Sequence, residues 1–173
     1  MAWENPQDLS GIKGYFVKAD HEPATVPGPG TGDFTAENRT TLGPLEDGLW
    51  YVHVASQDEA GNTGAQAAHY PLRIDTKAQA PSLSSPSHPQ EDQWYSNNKV
   101  EVVFAPPHDL SGVQGYYYLI DQEPQTLPDT ETSAWTEKSR ITFPDLKDGV
   151  WYLHARTKDK AENLSAQAGH LKV

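Results

Sequence analysis

The sequence contains no cysteine, so the chain can form neither a disulfide framework nor a thiolate metal site. It also lacks a signal-peptide pattern and any apolar run near the length of a membrane span. Lys and Arg are scarce, 13 against 24 Asp and Glu, which leaves a net charge of −11. Phosphate backbones and anionic lipids would repel such a chain. We therefore expect no nucleic-acid partner and no membrane insertion.

Helical periodicity is missing as well, because no amphipathic pattern persists over three turns. The 13 glycines and 14 prolines cluster between short apolar runs. This combination predicts an all-β chain with many turns. The sequence has no Gly-x-Ser-x-Gly, no phosphate-binding loop and no His-Glu-x-x-His. We therefore expect a protein that is not an enzyme, and nothing in the sequence requires a cofactor.

The feature that organises the chain is an internal repeat. Shifting the sequence by 101 positions aligns Leu9–Leu72 with Leu110–Val173 without a gap, and 27 of the 64 aligned pairs are identical. A period of this length matches a whole domain of about 100 residues, the usual size of a β-sandwich. We predict two tandem domains, 1–75 and 81–173, joined by a short linker at 76–80.

The clearest repeated stretch is Leu45–Val54, which recurs as Leu146–Ala155. Apolar and polar residues alternate in both copies, as in a half-buried strand. The alternation predicts that Trp50 and Trp151 face the core, together with every second residue after them. It places Tyr51 and Tyr152 on the opposite face.

Domain 81–173 contains seven short segments of this kind, separated by turn signals every 8–12 residues. This pattern predicts an immunoglobulin-like sandwich. We expect the inward residues to be Val100, Val102, Phe104, Tyr116, Tyr118, Ile120, Leu171 and Val173.

Three motifs occur in the same order in both copies: Asp-Leu-Ser-Gly-x-x-Gly-Tyr, Asp-Gly-x-Trp-Tyr-x-His and Asp-x-Ala-x-Asn. The ordered set resembles the fibronectin type III and bacterial Ig-like repeats of secreted and cell-surface prokaryotic proteins. The resemblance implies two fibronectin type III-like sandwiches serving as an extracellular spacer or adhesion module. It brings no catalytic residues with it.

Two histidines recur in each copy, His53 with His69 and His154 with His170. All four fall in the outward register on the last two strands. As cross-strand neighbours, the two imidazoles of a copy could approach one metal ion. Alternatively, they are polar residues on the solvated face of a sheet, or they pack against the neighbouring tyrosine. Because only two ligands converge, we predict no metal site.

Aromatic residues also occupy the outward register, at Phe16, Tyr51, Tyr117 and Tyr152. Such a face is suited to sugar rings or to a protein surface. The alternative to a spacer is therefore a carbohydrate- or protein-binding module that uses these aromatics and the four histidines. Ordinary cross-strand pairing would also explain them.

The turns Asp58–Asn62 and Asp159–Asn163 combine oxygen ligands that calcium prefers. Their spacing is too short for an EF-hand loop, and Lys160 in the second copy would repel a cation. We interpret both as turns in which Asp and Asn cap backbone N–H groups.

The first domain lacks a counterpart of residues 81–101, since Trp3 aligns with Phe104. It should therefore miss its N-terminal strands and leave a sheet edge open and the core around Trp50 and Tyr15 partly uncovered. We predict that a strand from a neighbouring chain or an upstream segment fills this gap.

Overall fold

The computed structural model describes residues 1–173 and consists of strands, turns and loops without a helix. No helix is therefore long and apolar enough to cross a membrane. The chain divides into two units, Met1–Ile74 and Asp75–Val173. The linker predicted at 76–80 carries no strand.

The second unit has seven strands in two antiparallel sheets, as the sequence predicts for a sandwich. One sheet has the order β11-β10-β7-β8 and the other the order β5-β6-β9. The strands are β5 (Ser82–Ser84), β6 (Val100–Ala105), β7 (Val113–Asp121), β8 (Ala134–Thr136), β9 (Arg140–Phe143), β10 (Tyr152–Asp159) and β11 (Gly169–Lys172).

The core of the second unit lies between these two sheets and confirms the predicted alternation. Leu153 and Ala155 from β10 meet Val102 and Phe104 from β6, and each is at most 1% exposed. The remaining residues predicted to face inward are buried in this cluster or packed against it: Val100, Tyr116, Tyr118, Ile120, Leu171 and Val173.

The first unit has only one sheet, with the antiparallel order β2-β1-β3-β4. Its strands are β1 (Ile12–Asp20), β2 (Asp33–Thr35), β3 (Gly48–Asp58) and β4 (Ala68–Ile74). They correspond in order to β8-β7-β10-β11 of the second unit. The opposite sheet is reduced to a single bridge between Ala2 and Arg39, at the repeat position of the Val103–Arg140 pair. The first unit therefore lacks its N-terminal strands, as the repeat predicts.

A short N-terminal segment nevertheless covers part of the first unit's core. The Trp3 ring packs edge-on against Tyr15 at 5.2 Å, where Phe104 stacks on Tyr116 at 4.9 Å in the second unit. Tyr15 is only 3% exposed, and its hydroxyl donates to Asn5 Oδ1 at 2.7 Å. The expectation that the core is uncovered around Tyr15 was therefore wrong, because Trp3 shields it.

The two repeated tryptophans also depart from expectation. Trp50 and Trp151 are half-buried and belong to neither core cluster. Each lies near the start of its strand, and its indole N–H donates at 2.9 Å to a backbone carbonyl of the preceding turn, Glu46 and Lys147 respectively. The residues two positions later, Val52 and Leu153, are 0% exposed and anchor the strand instead.

Candidate functional site

The two histidine pairs lie where the repeat predicts, directly opposite each other across antiparallel strands. His53 faces His69 between β3 and β4, and His154 faces His170 between β10 and β11. In both units the two Nδ1 atoms are 2.7 Å apart. This distance is a hydrogen bond, and it is shorter than the separation of two ligand nitrogens around a tetrahedral zinc ion.

A carboxylate, which sequence reasoning did not find, completes each pair. Asp20 Oδ1 lies 3.1 Å from His53 Nε2, and Asp121 Oδ1 lies 3.1 Å from His154 Nε2. The central imidazoles, His53 and His154, are fully buried. We call each group of three an Asp–His–His chain: Asp20–His53–His69 and Asp121–His154–His170. The available signal was that both aspartates recur at the repeat spacing.

The hydrogen bonds fix how protons are arranged in these chains. When the central imidazole donates its Nε2–H to the carboxylate, one proton lies between the two Nδ1 atoms. The outer histidine carries it when the central imidazole is neutral, and the central imidazole carries it when that ring is charged. A second proton between the two Nδ1 atoms would place two N–H groups against each other. Burial, followed by the charge of His154, lowers the pKa of His170. The second unit's chain thus favours a neutral outer imidazole.

The carboxylates of these chains are held in their charged form. Burial alone would raise the pKa of Asp20, but hydrogen bonds from Thr25, the Glu22 N–H, Lys18 and His53 outweigh it and lower the pKa. The pKa of Asp121 is lowered in the same way: burial opposes the shift, and bonds from Thr126, the Glu123 N–H and His154, with the charge of His154, outweigh it. Each chain joins three adjacent strands of one sheet, which is a structural role.

The outward aromatic face is less accessible than the alternation suggests. Phe16 is 7% exposed and packs on Phe34 at 5.4 Å, while Tyr117 packs on Trp135 at 4.8 Å. A loop also folds onto this face, since Arg156 in the outward register donates to the Pro128 carbonyl at 3.1 Å.

As a result, the structure does not bring the predicted binding residues together on one solvent face. Phe16, His53 and His154 are buried, which corrects the expectation that they face solvent. The tyrosines Tyr51, Tyr117 and Tyr152 are half-buried, and His69 and His170 are exposed.

The Asp–Asn turns form the capping arrangement that the sequence predicts. In each unit the Asn N–H and its side-chain amide donate at 2.7 Å to the two carboxylate oxygens of the Asp, Asp58 with Asn62 and Asp159 with Asn163. The bonds are the same in both copies although the residues between Asp and Asn differ.

The structure also gathers three carboxylates that the sequence did not suggest. Oxygens of Asp75, Asp109 and Asp159 lie within 4.8 Å of one another. Backbone and side-chain groups of the same turns hold them, including a bond from the Ser111 N–H to Asp75 at 2.9 Å. We assign no ion to this cluster, because these internal bonds account for its geometry.

A cleft of about 420 Å³ in the second unit is the other feature that sequence reasoning missed. One wall is the loop 88–98, and the other is the turn that leads into Trp151. Trp94, on the loop wall, is 79% exposed. The loop lies within the part of the sequence that has no counterpart in the first unit.

These features define a class of protein: an all-β chain of two related units in which the repeated polar residues join strands and close turns. No family model and no curated protein matches the sequence. Among solved structures, the chain is similar to fibronectin(III)-like modules of Clostridium thermocellum CbhA, with a TM-score of 0.37 and 11% sequence identity. The similarity covers 97% of this chain and 80% of that one, and at this TM-score it carries no functional argument.

Proposed function

We propose that this chain is a non-catalytic module of an extracellular protein, in which two β-sandwich repeats serve as a spacer or an adhesive segment. One observation carries the proposal: the polar side chains shared by the two copies are used in internal bonds of equal length. The His–His contact is 2.7 Å and the His–Asp contact 3.1 Å in both units. Residues retained between the copies thus build the scaffold.

The extracellular placement rests on the resemblance of the ordered motifs to repeats of secreted and surface proteins. The acidic net charge of −11 is compatible with it, since such a charge keeps a chain soluble and discourages unspecific association. Internal hydrogen bonding of this kind suits a segment that must hold its shape between other domains.

Single-molecule pulling between residues 1 and 173 tests the spacer role. A spacer should resist force and then unfold in discrete steps. The second unit spans Asp75–Val173, so its extended length should be about 340 Å, at roughly 3.4 Å per residue, and its unfolding step should equal this length minus its folded end-to-end distance. A chain that extends gradually at low force, without a discrete event, would contradict this role.

The alternative, a carbohydrate or protein ligand on the outward face, depends on the side chains that remain accessible there. Tyr51 and Tyr152 are half-buried, and each stacks on the adjacent buried histidine with ring centroids 6.4 Å apart. A pull-down with glycans or cell-wall material, using Tyr51→Ala and Tyr152→Ala, tests this face. Binding that survives both substitutions would exclude it.

A further inference from the structure

We infer that the cleft of the second unit binds a neutral oligosaccharide, with the Trp94 indole as its stacking surface. The cleft volume of about 420 Å³ falls within the range of small-ligand sites. The inference adds a ligand to the module proposed above and does not depend on its spacer role.

The loop that carries Trp94 is held in place by a buried histidine. His88 is 7% exposed, and its Nε2 bonds to the Asn97 carbonyl at 2.9 Å across the loop. Its Nδ1 lies 2.9 Å from Ser87 Oγ, which also accepts the Glu101 N–H of β6 at 2.8 Å. The loop is therefore fastened to the sheet before any ligand arrives, which lowers the entropic cost of binding.

A second aromatic contact stiffens the same wall. The Tyr95 ring packs on His88 at 4.6 Å, and its hydroxyl accepts the Gln90 N–H at 3.1 Å. Trp94, between these fastened residues, is nevertheless 79% exposed. Its indole face is therefore open to a ligand that enters the cleft.

Opposite this wall, the turn before β10 is also fixed. The Trp151 indole N–H donates to the Lys147 carbonyl at 2.9 Å, and the Leu146 N–H donates to the Asn98 carbonyl at 3.0 Å. The second bond joins the two walls. Val100 and Val173 line the cleft between them.

The polar lining suits hydroxyl groups, which both donate and accept hydrogen bonds. Side-chain amides of Gln93 and Asn98 supply donors and acceptors, and Asp148 supplies acceptors only. Apolar ring faces together with amide groups are suited to a sugar, whose faces are apolar and whose edges carry hydroxyls.

The charges of the cleft favour a neutral ligand over an acidic one. Asp92 and Lys172 form an ion pair at 2.8 Å, so their charges cancel. Of the other charged lining residues, Glu91 and Asp148 carry two negative charges against one positive charge on Lys147. This local excess and the chain's net charge of −11 would repel uronic acids and sulfated sugars.

Affinity electrophoresis of the full chain in gels containing hydroxyethyl cellulose, xyloglucan or galactomannan tests the inference. We expect at least one of these neutral polysaccharides to retard the chain. Trp94→Ala should weaken binding by about ten-fold or more, because the stacking surface is lost. Trp94→Tyr should retain most of it. Leu110→Ala removes an exposed apolar side chain, 61% exposed, outside the cleft, and should bind like the unaltered chain.

The inference is overturned if none of the three polysaccharides retards the chain, or if Trp94→Ala is retarded equally. Since Trp94 is exposed, an unchanged melting temperature will show that the variant is folded. Release of reducing sugar ends when the chain is incubated with these polysaccharides would contradict the non-catalytic proposal but not the binding inference. Failure of the one is therefore distinguishable from failure of the other.

Discussion

At the scale of single residues, the exposed outer histidine of the second Asp–His–His chain makes a pH-dependent contribution to stability. In the folded chain the pKa of His170 lies below its ordinary value of 6.5, through burial and the charge of His154. The unfolded chain therefore takes up this proton first as the pH falls. The contribution is intact above pH 6.5 and declines below it.

His170 should accordingly titrate below pH 6.5 when its ring is followed by NMR. The free energy of unfolding of the second unit should fall as the pH is lowered through this window. His170→Gln should remove that part of the pH dependence. A midpoint at or above 6.5 would mean that the imidazole is neither desolvated nor bonded as described.

Substitutions in β10 distinguish the core from the strand end. Leu153→Ala should lower the free energy of unfolding of the second unit by about 2–5 kcal/mol, because Leu153 is 0% exposed. Trp151→Ala should cost less, since Trp151 is half-buried outside the core cluster. Chemical denaturation measures both. A larger loss for Trp151 than for Leu153 would contradict the described packing.

Alternation along a strand predicted which residues face the core, but it could not predict how deeply each is buried. Trp50 and Trp151 lie near strand starts and outside both core clusters. His53 and His154 have the outward register that alternation assigns, yet they are fully buried. Their partner aspartates are 33 positions away in sequence, and only the strand pairing brings them near.

At the scale of elements, the side chains of the last strand differ between the two units. The difference follows whether a second sheet packs against that strand. Gly169 of β11 passes so close to β5 that a Cβ there would lie 2.2 Å from the Pro81 carbonyl oxygen. The first unit has Ala68 at this repeat position and Tyr70 where the second unit has Leu171. Tyr70 is 55% exposed, whereas Leu171 is 5% exposed. Strand β4 thus carries side chains that a β5-like strand would collide with.

Gly169→Ala should therefore destabilise the second unit by about 1–3 kcal/mol, as overpacking does. The reverse exchange in the first unit, Ala68→Gly, serves as the matched control and should cost at most about 1 kcal/mol. Equal effects in denaturant unfolding would show that β5 does not approach β11 as described.

Complementation of the first unit remains a prediction, and the structure limits its geometry. Because Ala68 and Tyr70 occupy the space of a β5-like strand, an added strand would have to take the place of β6 and displace the segment that forms the Ala2–Arg39 bridge. A peptide copying residues 99–105 should raise the first unit's melting temperature in proportion to its concentration. A scrambled peptide should not. No response to the matching peptide would refute complementation.

The strands themselves were predictable, because apolar alternation and turn residues mark each one locally. The missing N-terminal strands of the first unit were predictable from the repeat alone. The cleft was not, because the loop 88–98 has no periodicity and takes its shape from bonds around His88. Nothing in the local sequence indicates that Trp94 would remain exposed.

At the scale of the whole molecule, the chain contains one module twice in two states of completeness. The second unit has two sheets around a core, and the first has one sheet with Trp3 packed over it. The polar side chains common to both copies form hydrogen bonds that join strands and close turns. The segment that only the second copy has supplies the cleft.

Amide hydrogen exchange of the full chain distinguishes a first unit with one sheet from a first unit with two. Residues 140–143 pair with β6 in the second unit, whereas at the counterpart positions 39–42 the Ala2–Arg39 bridge bonds the N–H of Thr40 to the Met1 carbonyl at 2.9 Å. We therefore expect slow exchange at 140–143 and markedly faster exchange at 41–42, with slow exchange in the central strands β3 and β10 of both units. Equal protection of 41–42 and 140–143 would show that the first unit also has a second sheet, and would contradict the one-sheet description.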